Sequence, residues 1–278
     1  MKTDTVIEAR NVVKTFGEVK AVDDISFDVK AGEIFAFLGP NGAGKSTTIS
    51  MLTTMLRPTS GQLTLNGHDV TREQDAARKS FGIVFQDPAL EEELTAYENM
   101  VIHAVLYGIP KSDEAKRIEE LLRLVDLWER KDSYVKTYSG GMRRRLEIAR
   151  GLLHHPKILF LDEPTLGLDT QTRNLLWDYV EKLSRHEGMT IFFTTHYLDE
   201  AEAVADRIAI IDHGKIVATG TTQQLAKQTG TKTLEDAYLS LTGKEVRDET
   251  SLANNGINVR TARRNQRLRY WTFYTYFG

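Results

Sequence analysis

Gly39-Pro40-Asn41-Gly42-Ala43-Gly44-Lys45-Ser46 constrains this chain more than any other stretch. It fits G-x-x-x-x-G-K-[ST] and lies where that pattern has meaning, between a compact apolar run at residues 34–38 and a helical stretch read at residues 46–56. Glycines let successive backbone N–H groups converge on phosphate oxygens with no Cβ in the way. A helix beginning near Ser46 adds the positive end of its dipole, with Thr47 in its first turn. Lys45 supplies a point charge for β- and γ-phosphates, and the Ser46 hydroxyl is a ligand for Mg²⁺. An ordinary glycine-rich turn is the competing reading, and the full pattern in this context argues against it.

Phosphate binding alone does not make an enzyme; a second element has to hold the metal and activate water. Residues 158–161 (Ile-Leu-Phe-Leu) run directly into Asp162-Glu163. A buried strand delivers such acids to its carboxyl end, where open α/β sheets bind ligands. Asp162 suits Mg²⁺, and Glu163 is placed to polarise an attacking water as general base. The two elements together predict a Mg²⁺-dependent nucleoside triphosphatase, but not which one.

Around them, residues 6–10, 25–29 and 62–65 read as strands, the last closed by an Asn66-Gly67 hairpin turn. Residues 95–153 read as helical, with Ile118, Leu121, Leu122, Val125 and Leu127 at three-and-four spacing. Arg143-Arg144-Arg145 falls within this region and reads as a solvated helix face. After Pro156, strands at 158–161, 190–194 and 208–212 alternate with helices at 172–185 and 199–204, and His213-Gly214 turns into a last strand at 215–218. That alternation predicts a parallel sheet covered on both faces.

The chain has 278 residues, no cysteine and no apolar run near the 20 residues of a membrane span, which excludes disulfides, thiolate catalysis and a spanning helix. Met1 to Thr5 contains no apolar signal-peptide core. Net charge is −3, but it is unevenly spread. Residues 250–278 hold five arginines and no acid, leaving residues 1–249 with 31 bases against 39 acids, a net −8. An acidic body argues against nucleic acid as a partner.

Further segments carry a family resemblance. Ser139-Gly140-Gly141 precedes an apolar-periodic helix, and Asp162-Glu163-Pro164-Thr165 is followed by Gly167-Leu168-Asp169. Gln86 follows the strand at 83–85, and His196 follows the strand at 190–194. In this order and spacing, residues 6–225 resemble an ATP-binding cassette (ABC) ATPase, the nucleotide-binding subunit of ABC transporters. The resemblance implies an α/β fold of the P-loop NTPase class, with a mixed sheet core, an antiparallel β subdomain and an α-helical subdomain at about 87–155. A helical extension at 226–249 and the basic aromatic tail at 250–278 would follow the cassette at 1–225.

It also implies roles. Two cassettes would close head to tail, so that Ser139, Gly140 and Gly141 meet the γ-phosphate of ATP held by the partner's phosphate loop, with Asp169 acting across the interface. Gln86 would touch Mg²⁺ and the attacking water, and His196 would bond the γ-phosphate and Glu163. Phe16 would stack on adenine, with a half-buried strand aromatic as its plainer reading. An isolated Ser-Gly-Gly would read more readily as a helix cap, but not in the company of the other motifs. Two positions depart from the family pattern: Met142 stands for glutamine and Tyr138 for leucine. Tyr138-Ser139-Gly140-Gly141-Met142 followed by three arginines is similar to the daunorubicin-resistance type of exporter ATPase, as are residues 233–244.

The expected function is therefore ATP hydrolysis driving export of a drug or other amphipathic compound through a separate permease. The chain would sit peripherally on the cytoplasmic face of the membrane, as a homodimer of cassettes. A permease would dock on residues 86–99, including Asp87-Pro88-Ala89-Leu90 and Tyr97-Glu98-Asn99. A non-transport ABC ATPase acting on DNA or ribosomes is the alternative, disfavoured by the acidic body, the single cassette and the absence of a long coiled coil. The tail carries Arg260, Arg263, Arg264 and Arg267 at spacing that would share one helix face, ahead of Tyr270, Trp271, Phe273, Tyr274, Tyr276 and Phe277. It reads as a disordered terminus or as a contact for an anionic membrane surface.

Overall fold

A computed structural model describes residues 5–87 and 89–243. Pro88 and the tail at 250–278, with the readings placed on them, lie outside the described residues.

Three five- or six-residue apolar strands make the centre: β3 (Ile34–Leu38), β7 (Ile158–Asp162) and β8 (Thr190–Thr195), every residue buried. Continuous apolar runs suit parallel strands covered on both faces. For the numbering, β1 is Thr5–Phe16, β2 Val19–Lys30, β4 Ser60–Leu65, β5 His68–Asp69, β6 Phe81–Val84, β9 Arg207–Asp212 and β10 Lys215–Gly220. One sheet has the order β10-β9-β3-β8-β7-β6 and is parallel except for β10 against β9. The other, β2-β1-β4-β5, is antiparallel, and Asn66-Gly67, both at positive φ, turns β4 into β5.

The helices are α1 (Lys45–Leu52), α2 (Gln74–Lys79), α3 (Ala96–Leu106), α4 (Lys111–Leu124), α5 (Gly140–Gly151), α6 (Thr170–Glu187), α7 (Leu198–Val204), α8 (Thr222–Thr229) and α9 (Leu234–Thr242). Strand alternation sorts the core into two layers. Ile34, Ala36 and Leu38 pack with Leu159, Leu161, Ile191 and Phe193 against α3 to α9. Phe35 and Phe37 face the other way, with Phe160, Phe192, the antiparallel sheet and α1. Phe27 of β2 closes that layer, its ring 5.8 Å from Phe35 and 5.6 Å from Phe37. The mixed sheet is thus held between an antiparallel sheet and a helical layer. None of the helices among the described residues is long and apolar enough to cross a membrane.

Two expectations are corrected. The helix after the phosphate loop ends at Leu52 rather than Leu56: Thr53 turns its hydroxyl back to the Ile49 carbonyl and Thr54 takes φ +63. The arginine run is not a solvated face. Arg144 is 5% exposed and hydrogen-bonded on every side, Arg143 donates to the Tyr138 and Lys136 carbonyls, and Arg145 donates to the Val125 carbonyl. Three guanidiniums in a row served as struts because loop carbonyls, which carry no sequence signal, surround this helix.

Candidate active site

The parallel strands end on one edge, and register makes that edge a site. Leu38 pairs with Thr195, and Asp162 pairs with Thr194. The phosphate loop leaves β3, Glu163 leaves β7, His196 leaves β8 and Gln86 follows β6. A cavity of about 390 Å³ opens there, lined by Asn41, Gly42, Gly44, Lys45, Ser46, Thr47, Gln86, Glu163 and His196, together with Ala21 and Leu166.

The loop's shape needs its glycines at two points. Gly44 takes φ +107 as the residue before α1, and a Cβ there would lie 2.5 Å from the Ala21 carbonyl oxygen. At Gly39 a Cβ would meet the Ile211 carbonyl oxygen at 2.2 Å. Because backbone cannot step aside as a flexible side chain can, Gly39→Ala is expected to cost about 2–3 kcal/mol. At roughly 2–4 °C per kcal/mol for a chain of this size, that lowers Tm by about 4–12 °C in a thermal melt. An unchanged Tm would mean that β9 yields freely.

Lys45 is 4% exposed and points back into the loop, donating to the Gly39 carbonyl at 2.8 Å and the Pro40 carbonyl at 3.2 Å. Its Nζ is 3.1 Å from Glu163 Oε1, while His196 Nδ1 approaches Glu163 Oε2 at 3.4 Å from the other side. Burial pushes the Glu163 carboxyl up, but the facing His196 and the Lys45 charge together outweigh it, and the group is held below the ordinary glutamate value. Glu163 itself sits at φ +45, a left-handed backbone that turns its side chain out of the strand direction into the cavity. The Thr194 hydroxyl fixes that turn: it accepts from Glu163 N–H at 3.0 Å and donates to Asp162 Oδ1 at 2.6 Å.

Asp162 is the natural place for a cation. Burial pushes its carboxyl up, only partly opposed by the Thr194 hydroxyl, so the charged form lacks a full counterweight. Asp162 itself lies behind the lining residues, but Ser46 Oγ is 3.4 Å away and lines the cavity together with Gln86. Carboxylate, hydroxyl and amide oxygens are the hard donors that Mg²⁺ takes, and a bound cation would reverse the burial penalty on Asp162. The residues present fit the metal.

Other expected residues lie elsewhere. Ser139 caps α5, accepting from Met142 N–H at 3.3 Å, and Asp169 caps α6, accepting from Thr172 N–H at 3.0 Å and the Thr172 hydroxyl at 2.7 Å. Neither lines the cavity, nor do Gly140 and Gly141. Gly141 has a packing reason as well, since a Cβ there would meet Thr172 Cγ2 at 2.1 Å. Phe16 ends β1, is 51% exposed under the Lys14 ammonium, and also lies off the cavity. Tyr138 earns its place by donating its phenol to the Arg130 carbonyl at 2.7 Å.

Sequence reasoning missed Thr194, which joins both carboxylates, and Glu200. Buried at 3% exposure, Glu200 accepts from the Thr165 and Thr195 hydroxyls and so ties the turn after β7 to the turn after β8. No spacing in the sequence signals either residue, because both act through contacts between strand ends.

Comparison with known proteins agrees with this geometry. The family profile described as "ABC transporter" matches residues 22–166. The daunorubicin/doxorubicin resistance ATP-binding protein DrrA of Streptomyces peucetius is 46% identical over 228 residues, covering 82% of this chain and 69% of the relative. The linearmycin resistance ATP-binding protein LnrL of Bacillus subtilis is 42% identical over 229 residues, covering 82% and 73%. A solved structure of an ATP-binding subunit of an ABC transporter superposes with a TM-score of 0.77 at 30% identity, covering 85% of this chain and 99% of that one. A cavity at the carboxyl edge of the sheet that gathers the phosphate loop, Gln86, Glu163 and His196, and relatives this similar over most of both lengths, lead to one conclusion: the protein belongs to the ABC transporter family, as an ATP-binding and ATP-hydrolysing subunit.

Proposed function

We propose that this chain powers export of an amphipathic, drug-like compound through a separate membrane permease, working from the cytoplasmic face as a homodimer of cassettes. The observation that carries the enzymatic part is the convergence of the phosphate loop, Gln86, Glu163 and His196 on one cavity. Resistance to daunorubicin, doxorubicin and linearmycin in the relatives' names supports the cargo class.

In this reading the loop N–H groups and Lys45 hold the β- and γ-phosphates of ATP, and Phe16 stacks on adenine. Ser46, Asp162 and Gln86 would hold Mg²⁺, which would supply neutralisation of phosphate charge when bound. Glu163 takes the proton of the attacking water, and His196 bonds the γ-phosphate and steadies Glu163. When Lys45 swings from Glu163 to the phosphates, Glu163 loses one of the charges that hold its pKa down. Burial then acts more freely and makes it a stronger base.

Ser139, Gly140, Gly141 and Asp169 lie off the cavity, so they reach its nucleotide only from a second copy. At the head of α5, the Ser139 hydroxyl and the Gly140 and Gly141 N–H groups present an anion site of the right kind. Head-to-tail closure brings that site over the partner's γ-phosphate, and hydrolysis reopens the pair.

Mild-detergent purification from native membranes tests the whole reading. A multi-span membrane protein should co-purify, and an anthracycline should stimulate ATPase activity of the reconstituted complex about twofold or more. ATPase activity recovered only with ribosomes or nucleic acid would favour the non-transport alternative.

A further inference from the structure

Arg144 is a buried cation outside the cavity, 5% exposed and hydrogen-bonded to three segments of chain. Its Nε donates to the Pro164 carbonyl at 2.8 Å, one Nη to the Gln86 carbonyl at 3.1 Å, and the other Nη to the Phe85 carbonyl and to Glu147 Oε2, the last at 3.1 Å. Glu147, fully buried one turn along α5, accepts from Ala89 N–H at 2.8 Å, and Arg150 donates to the Ala89 carbonyl. Both sides of the Gln86 loop, and the residue following Glu163, are therefore fastened to the helix that Ser139 heads.

We propose that Arg144 is a positioning residue that links the two halves of the catalytic cycle. Through Pro164 it sets the turn carrying Glu163; through Phe85 and Gln86 it sets the backbone of the loop bearing the Gln86 amide; and through α5 it ties both to the Ser139 motif offered to the partner cassette. The inference rests on the roles proposed above for Gln86, Glu163 and Ser139. Planarity matters here, because a guanidinium reaches three carbonyls on two segments at once, whereas an ammonium is a single point. Movement of α5 at dimer closure is then transmitted to Gln86 and Glu163 together. Arg144 is not among the residues lining the cavity, so its effect falls on turnover rather than on nucleotide binding.

The test uses the full chain and compares Arg144→Met, Arg144→Lys and Glu147→Gln with Gln86→Ala and Glu163→Gln. Arg144→Met is expected to lower kcat about tenfold to a hundredfold, as small misplacements of a catalytic group do, with the KM for ATP within about threefold. Arg144→Lys recovers part of that loss, and Glu147→Gln, which keeps an acceptor, gives a smaller one. Because the chain has no cysteine, a spin label on Asp87→Cys reports on the Gln86 loop alone, with Lys232→Cys as a distant control. Arg144→Met should mobilise the label at 87 and leave the one at 232 unchanged.

Unchanged kcat in Arg144→Met and Glu147→Gln, or equal mobilisation of both labels, overturns the proposal. If Gln86→Ala and Glu163→Gln lose turnover while the Arg144 variants do not, only this inference fails. If Gln86→Ala and Glu163→Gln also turn over normally, the reading of the site fails with it.

Discussion

Glu163→Gln should bind ATP with affinity within about threefold of the native chain and hydrolyse it about 10²–10⁴-fold more slowly. Glutamine keeps the side chain's size and one oxygen for Lys45 and His196, so the cavity keeps its shape while the proton acceptor is gone. ATP then stays intact between two cassettes, and a closed dimer should accumulate in sedimentation or light scattering when ATP and Mg²⁺ are present. Phosphate release at saturating ATP, alongside equilibrium nucleotide binding, separates the two effects. Unchanged phosphate release would remove Glu163 from the role of base.

The native pH profile carries an independent mark of the same group. Burial raises the Glu163 carboxyl, yet His196 and Lys45 lower it by more, so in the free chain it is ionised above a value lower than the ordinary 4.5. The acid limb of kcat/KM, which reports the free chain, should therefore fall below pH 4.5 and be missing between pH 6 and 8. In Glu163→Gln that limb should vanish.

The candidate site residues that sit in one continuous motif were legible in the sequence, and those joined to the site only through folded contacts were not. Residues 39–46 announce themselves because the backbone needs glycine at Gly39 and Gly44 and the chemistry needs Lys45 and Ser46, all within one turn of chain. Asp162 and Glu163 were visible as acids ending an apolar run, and the strands of the parallel sheet could be read from their apolar blocks. Thr194 and Glu200 could not, since a threonine inside a strand reads as β-propensity and a glutamate in a short helix reads as surface. Arg144 was misread outright. A run of three arginines normally marks a wet face, and only the neighbouring Glu147 and Arg150, each three residues further on, hinted at a buried polar ridge. Helix ends were also less legible than helix centres: nothing between 52 and 56 signals the stop except Thr53, whose hydroxyl returns to the Ile49 carbonyl, and Thr54, whose hydroxyl accepts from Arg78 Nε.

Lys45→Met should both weaken ATP binding and change how stability depends on pH. The first effect follows from losing a charge-assisted bond to phosphate, worth about 1.5–3 kcal/mol, or roughly 10- to 100-fold in affinity. The second comes from the ammonium's place in the structure. With Lys45 gone, Glu163 stays buried with only His196 beside it, and removing one partner of a buried pair costs about 3 kcal/mol at neutral pH. The sign follows from Glu163, whose folded-state pKa is depressed in the native chain. Its stabilising contribution is present above the unfolded value of 4.5 and is lost as pH falls through the lower folded value. Denaturant melts of the native chain and Lys45→Met should therefore differ most near pH 7 and draw together as pH drops below about 4.5, once Glu163 is protonated in both. A gap that stays constant with pH would assign the loss to the two carbonyl bonds at Gly39 and Pro40 rather than to the ion pair. Lost stability at pH 7 with full ATP affinity would show that Lys45 holds the loop together without touching the phosphates.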